Sequence, residues 1–195
     1  DECLVLLNTG MRISEFCGLT YGDLDFENRR IKVDHQLLRG NTHSEFCIGP
    51  PKTSSGKRFI PMTTEVEKSM KLVEKARKMG FEQYIDGYTG FIVRTREGLV
   101  RGGDDFNKLI RRALLAYRRA HPNEPLFEVT PHIFRHTFCT NMLHAGVEIK
   151  ELQYLMGHSD ASITLNVYSH TVYEKAEKQM LEAVERLREG TPLVC

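Results

Sequence analysis

Six side chains have the types and local settings to hold an anion and do chemistry beside it: Arg12, Lys52, His132, Arg135, His158 and Tyr168. Four of them fall in residues 130–170, TPHIFRHTFCTNMLHAGVEIKELQYLMGHSDASITLNVYSH. Thr130 can cap a helix that begins at Pro131, the favoured arrangement for a helix start. His132 and Arg135 then lie three apart on one face, near free backbone N–H groups and the positive end of the helix dipole. A helix start carrying an arginine is an anion site, and phosphate is the anion it suits best. Phe134, Phe138, Met142 and Leu143 make the opposite, core-facing set. Gly146 ends this helix, and a second over about 148–156 is ended by Gly157. His158 sits on that break, Ser159 can cap a further helix, and Tyr168 follows about ten residues on.

Together these residue types suit attack on a DNA phosphodiester. A tyrosine is a poor nucleophile at neutral pH, since with a pKa near 10 only about 0.1% is ionised at pH 7. Two arginines and a neighbouring base would offset that deficit and stabilise the transition state electrostatically. Arginine fits because its charge is permanent and its fork can engage two phosphate oxygens. A lysine on a mobile tip can protonate the departing 5′ oxygen. No metal is then required, and no cofactor is expected.

The elements that must position these groups can be read in order. Residues 2–8 form the end of a helix closed by Thr9 and Gly10, and a second helix runs over 12–19 (RISEFCGL). Arg12 and Glu15 are either a solvated ion pair or a phosphate ligand with the carboxylate that holds it. Alternation over 30–38 predicts a strand, with Ile31, Val33 and His35 on one side. Further strands are expected near 45–48 and 57–60, making a small antiparallel three-stranded sheet. GPPKTSSG lies between the last two and would carry Lys52 at a hairpin tip. Thr63 or Thr64 caps a helix over about 65–78, and residues 91–93 suit a short strand. Asp104 or Asp105 caps a helix reaching about Ala120. That helix carries Lys108, Arg111, Arg112, Arg118 and Arg119, the strongest basic cluster in the chain, read as a solvated face or a contact to DNA phosphates. A tail helix is expected over about 172–189, its stripe of Met180, Leu181, Val184 and Leu187 docking in cis or on a neighbouring molecule.

Composition sets the outer bounds. With 195 residues, 41% apolar and 27% charged, the chain is an ordinary globular one with enough length for a sizeable core. No apolar run reaches membrane-spanning length, and a start at Asp1 inside a helical pattern suggests a piece of a longer protein. Five cysteines without C-x-x-C pairing read as buried reduced thiols of a cytoplasmic protein. A net charge of +1 means that any nucleic-acid surface must come from local clustering.

Five segments then carry a family resemblance: TGMRISEFCGLT at 9–20, PPKTSSGKRFIPM at 50–62, TPHIFRHTFCTNML at 130–143, LMGHSD at 155–160 and TLNVYSH at 164–170. In order and spacing they resemble the catalytic domain of tyrosine recombinases, and most of all the integrases of conjugative transposons. The resemblance covers the whole chain and implies an α+β, mainly helical catalytic domain that lacks the family's N-terminal arm-binding and core-binding domains. It implies catalytic roles for Arg12, Lys52, His132, Arg135, His158 and the nucleophile Tyr168. Read from the residues beside that resemblance, Glu15 and His136 are expected to stand behind them, and Lys108, Arg111 and Arg112 are either DNA contacts or part of a solvated face. The implied activity is metal-free strand cleavage and rejoining through a 3′-phosphotyrosyl link, for excision and integration of a mobile element. Implied partners are double-stranded DNA at transposon ends and crossover sites, further copies in a tetramer with the tail helix in trans, and a directionality factor, all at the bacterial nucleoid. A DNA-binding module without chemistry and a type IB topoisomerase are the rival readings. Zinc on His132 and His136 is disfavoured, because Arg135 would repel a cation and Ile133 stands where a metalloprotease needs glutamate. His136 is expected to be packed and hydrogen-bonded beside the site.

Overall fold

The first helix, α1 (Glu2–Thr9), turns Val5, Leu6 and Thr9 inward and stops at Gly10, whose left-handed φ of 61° ends the helix. The computed structural model describes residues 1–40, 45–75, 81–95, 97–125, 127–160, 177, 180–182 and 184–185. Next comes α2 (Ile13–Gly18), opened by a capping arrangement in which the Glu15 carboxylate accepts from the Arg12 backbone N–H at 2.9 Å.

Strands β1 (Leu24–Asp25), β2 (Arg30–Val33), β3 (Gln36–Arg39), β4 (Phe46–Gly49) and β5 (Arg58–Pro61) follow. They form an antiparallel three-stranded sheet in the order β1-β2-β5, and a separate ribbon of β3 and β4. The single strand expected over 30–38 is therefore two, broken at Asp34 and His35. The buried His35 ring reaches the Gly18 carbonyl of α2 at 2.8 Å and the Asp34 carboxylate at 2.7 Å. That anchorage to α2 takes the chain out of the first sheet. The strands flanking Lys52 consequently do not pair with each other: β4 pairs with β3, and β5 with β2. Lys52 lies on a connection between two sheets, not at a hairpin tip.

Helix α3 (Thr64–Lys75) buries Val66 and Met70. The stretch expected as a strand at 91–93 makes only an isolated bridge, Thr20 with Phe91, and a second follows just after it, Arg94 with Val100. Helix α4 (Gly103–Ala120) starts from Gly102 rather than an aspartate cap, leaving Asp104 and Asp105 in its first turn, where the dipole favours them. It buries only Phe106 and Ile110, and the Phe16 and Phe106 rings meet edge to face at 6.0 Å, fixing α4 to α2. Helices α5 (Pro131–His144) and α6 (Ile149–Met156) complete the described elements.

One core gathers α1, α2, the sheet, α3 and α4 around Leu6, Met11, Phe16, Ile31, Ile60 and Phe106. A smaller one joins α5 to α6 through Phe138, Cys139, Leu143, Leu152 and Met156. Helix α1 packs on both α3 and α5, so it links the two. Cys17 and Cys139 are buried and Cys3 and Cys47 partly so, all as free thiols. Burial pushes the Cys17 thiol up to about 12, which keeps it protonated and inert. Of the expected tail helix, positions 177, 180–182 and 184–185 are helical. Tyr168, His170 and the helix expected after Ser159 lie outside the described residues. No helix among the described residues is long and apolar enough to cross a membrane.

Candidate active site

The last turn of α6 is the hub of the site. A helix leaves its final carbonyls without intrahelical partners, at the negative end of its dipole. Here three consecutive carbonyls each accept from a different arginine. Leu155 O accepts from Arg58 Nε at 2.7 Å, Met156 O from Arg135 Nη2 at 2.6 Å, and Gly157 O from Arg12 Nη2 at 2.9 Å. The three arginines come from β5, α5 and the start of α2. The helix end therefore collects guanidinium groups from across the sequence.

Glu15 lies between two of them. Its carboxylate takes Arg12 Nη1 at 2.8 Å on one side, and Arg58 Nη1 at 3.2 Å and Nη2 at 2.9 Å on the other. The Glu15 and Arg58 side chains are 1% and 0% exposed, while Arg12 keeps 30% of its surface in solvent. Burial alone would raise the Glu15 pKa. The hydrogen bonds and charge of Arg58, then those of Arg12, outweigh it and hold the carboxyl below its ordinary value. Glu15 is thus ionised and ties the exposed arginine to the buried one.

Arg135 reaches the pocket because α5 starts where it does. Thr130 caps the helix, its hydroxyl accepting from Ile133 N at 3.2 Å, with Pro131 in the first turn. Arg135 is buried and also donates from Nη1 to Gly10 O at 2.5 Å. Gly10 lets α5 pack this closely, since a Cβ there would collide with the Phe138 ring. Burial, followed by the charge of Arg12, brings the Arg135 pKa down to about 9, still protonated at neutral pH. His158, buried beside Gly157, is lowered to about 4 by burial and then by Arg135, Arg12 and Arg58, so it is neutral at pH 7. Three guanidiniums against one carboxylate leave an excess of two positive charges around a partly open arginine. An anion entering there would relieve that excess, and a neutral His158 can donate a hydrogen bond to it.

The other candidates are arranged differently. His132 is exposed on the first turn of α5. His136 is also exposed and makes no side-chain hydrogen bond among the described residues, which corrects its expected packing. It lies one turn from His132, at the flank of the buried set of Pro131, Arg135, Phe138, Cys139 and Leu143. Lys52 is exposed and unpaired among the described residues, on a connection that lies against the pocket: Ser55 O is 3.2 Å from where a Cβ on Gly157 would stand. Lys108, Arg111 and Arg112 are exposed on α4. The Asp23, Asp34 and His35 groups come within metal-ligating distance of one another. Asp23 already accepts from Thr20 N at 2.8 Å and Oγ1 at 2.7 Å, and both His35 nitrogens are engaged.

Sequence reasoning missed Arg58. The signal was present: β5 alternates buried and exposed, so Arg58 shares the inward face with Ile60. A charged residue at an inward strand position must find a partner.

Two solved recombinase structures share this architecture. The Tn1549 transposon integrase in complex with transposon right end DNA superposes with a TM-score of 0.84 at 44% identity, over 92% of this chain and 57% of that one. XerA recombinase shares the fold at a TM-score of 0.60 and 22% identity, over 94% of this chain and 57% of the other. Residues 3–175 match the phage integrase family, and the chain belongs to it. Among curated relatives, the transposase from transposon Tn916 of Enterococcus faecalis is 44% identical over 180 residues, 92% of this chain and 44% of the relative. A XerC-like tyrosine recombinase of Caldanaerobacter subterraneus is 28% identical, over 95% of this chain and 48% of its own length. The chain spans about half the length of these relatives.

Proposed function

We propose that this chain is the catalytic unit of a site-specific recombinase that excises and integrates a mobile element. The observation that carries the reading is the convergence of Arg12, Arg58 and Arg135 on the last three carbonyls around α6, with Arg12 still open to solvent. In this reading the nucleophile is Tyr168, whose TLNVYSH setting resembles the family's motif.

In this reading the Tyr168 hydroxyl oxygen attacks the scissile phosphorus as its proton passes to a nearby base, with His132 assisting. A phosphorus–oxygen bond forms to the tyrosine and the bond to the 5′ oxygen breaks. Lys52 gives its proton to that oxygen, leaving a free 5′-hydroxyl. Arg12 and Arg135 hold the nonbridging oxygens, and neutral His158 donates to one of them. A 5′-hydroxyl from a partner strand then reverses the step, so the phosphoester energy is conserved and neither nucleotide nor metal is consumed. The substrate is double-stranded DNA at transposon ends and at the crossover site of a circular intermediate, as relatives bound to such DNA suggest. Lys108, Arg111 and Arg112 track its phosphates. Strand exchange proceeds through a Holliday junction in a tetramer, with the tail helix docked on a neighbour and a directionality factor biasing the outcome, at the bacterial nucleoid.

The test is covalent capture. The protein is mixed with a nicked end-sequence duplex in EDTA and run on a denaturing gel. A shifted protein–DNA band that Tyr168→Phe removes supports the proposal; a band that persists in Tyr168→Phe overturns it.

A further inference from the structure

Arg58 is a fully buried cation whose hydrogen bonds among the described residues go to three separate parts of the molecule. Its guanidinium grips Glu15 of α2, the Leu155 carbonyl at the end of α6, and, from Nη1 at 2.9 Å, the Gly56 carbonyl. The last of these belongs to the connection that carries Lys52. That connection is folded on itself: Gly56 N donates to Thr53 O at 3.0 Å and Lys57 N to Ser54 O at 3.1 Å. Pro51, buried next to Lys52, lies so close to Gly56 that a Cβ there would fall 2.3 Å from the Pro51 Cβ. At the other end the Pro50 carbonyl accepts from Gln36 at 2.8 Å. Between these fixed points Lys52 itself is exposed, with no ion pair among the described residues.

We infer that Arg58 is a positioning residue for leaving-group protonation: it holds the Lys52 connection, through Gly56 and Pro51, in register with the phosphate pocket. The inference rests on the proposed function for the role of Lys52. A proton donor aids the reaction only within hydrogen-bond reach of the departing oxygen, so a displaced connection removes its benefit while the arginines still bind phosphate. A lysine cannot replace Arg58, because one ammonium cannot span acceptors lying in the separate directions that the planar fork serves.

The test compares Arg58→Lys, Gly56→Ala and Lys52→Ala on two nicked duplexes, one with the ordinary 5′ oxygen at the scissile position and one with sulfur there. A thiolate leaves without being protonated, because thiols are far stronger acids than alcohols, with a cysteine pKa of about 8.5. Gly56→Ala leaves the buried charge pair untouched and pushes Pro51 away, so it decides the matter even if Arg58→Lys fails to fold. All three variants should lose about 100-fold or more on the oxygen substrate and recover to within about tenfold of the parent on sulfur, the range one proton donor supplies. In Arg58→Lys the Gly56 and Lys57 amides should exchange with solvent faster. Equal losses on both substrates, or no loss, would overturn the inference. If the unsubstituted protein cut neither duplex, the proposed chemistry would fail instead. The exchange of those two amides would then decide the placement, with unchanged rates in Arg58→Lys refuting it.

Discussion

Arg58 and Arg112 carry the same guanidinium, yet one has no solvent exposure and a set of four hydrogen bonds, and the other stands on an open helix face. The pocket arginines are held by backbone carbonyls and Glu15, so their geometry is set before any ligand arrives. Those of α4 (Arg111 and Arg112) make no ion pair among the described residues, and the face opposite Phe106 and Ile110 is left to water. Fixed charges stabilise a particular transition state, whereas mobile exposed charges raise affinity for any polyanion. Position, not residue type, separates chemistry from grip. Substitutions in the two regions should therefore fail in different ways.

The largest difference is expected in stability. Glu15→Ala leaves Arg58 buried without its counter-ion and should cost about 3–5 kcal/mol in denaturant unfolding. Asp104→Ala breaks the exposed pair of Asp104 with Arg39, 2.7 Å apart, and should cost no more than about 1 kcal/mol. Comparable losses in the two variants would erase the contrast between pre-set and solvated charges.

Next in size is the effect on cleavage. Arg135→Gln removes one pre-aimed donor and should lower covalent capture by roughly 100- to 1000-fold, with DNA affinity changed little. Because Arg135 is strained by burial and by its neighbours, sulfate or phosphate should also raise the melting temperature of the parent more than that of this variant. An unchanged capture rate would mean that the pocket is structural.

His158 makes the pocket's pre-set charge measurable through pH. The unfolded chain protonates His158 near its ordinary value of 6.5, whereas the folded protein resists until about 4. Between those values the unfolded state holds the extra proton, so stability should fall as pH drops through that window. Carboxylates titrate there too, so the measure is the difference from His158→Asn, which should lose less stability on going from pH 7 to 4.5. Parallel curves for the two proteins would show that His158 does not carry this linkage.

Much of this was legible in the sequence, in proportion to how local its causes are. Thr130 with Pro131, Gly10 and Gly157 mark helix ends by chemistry that acts within a turn, and the helices stand close to where those residues put them. The break of the 30–38 strand depends on His35 reaching a carbonyl of α2, 17 positions away, which alternation cannot reveal. Arg58 was half legible: its inward position follows from the period of β5, but its partner Glu15 is 43 positions away. The packing of His136 was not legible: its helical phase puts it beside the buried Cys139 and Leu143, yet the side chain is exposed.

The smallest expected effect is the one that most directly tests the other side of the comparison. Arg112→Ala removes an exposed charge that has no ion pair among the described residues, so unfolding free energy should move by no more than about 0.5 kcal/mol. Lys108→Ala loses only an exposed pair with Asp105 at 3.0 Å, and the same bound applies. If α4 lies along a DNA backbone, each substitution deletes about one phosphate contact. It should then weaken binding to all sequences alike and lessen the slope of log affinity against log salt by about 1. Cleavage at saturating DNA should be unchanged, because neither side chain is part of the pocket. A salt slope identical to the parent's would place the DNA elsewhere, and a loss of cleavage at saturation would make α4 part of the chemistry. Either result would end the division between a pocket that reacts and a face that holds.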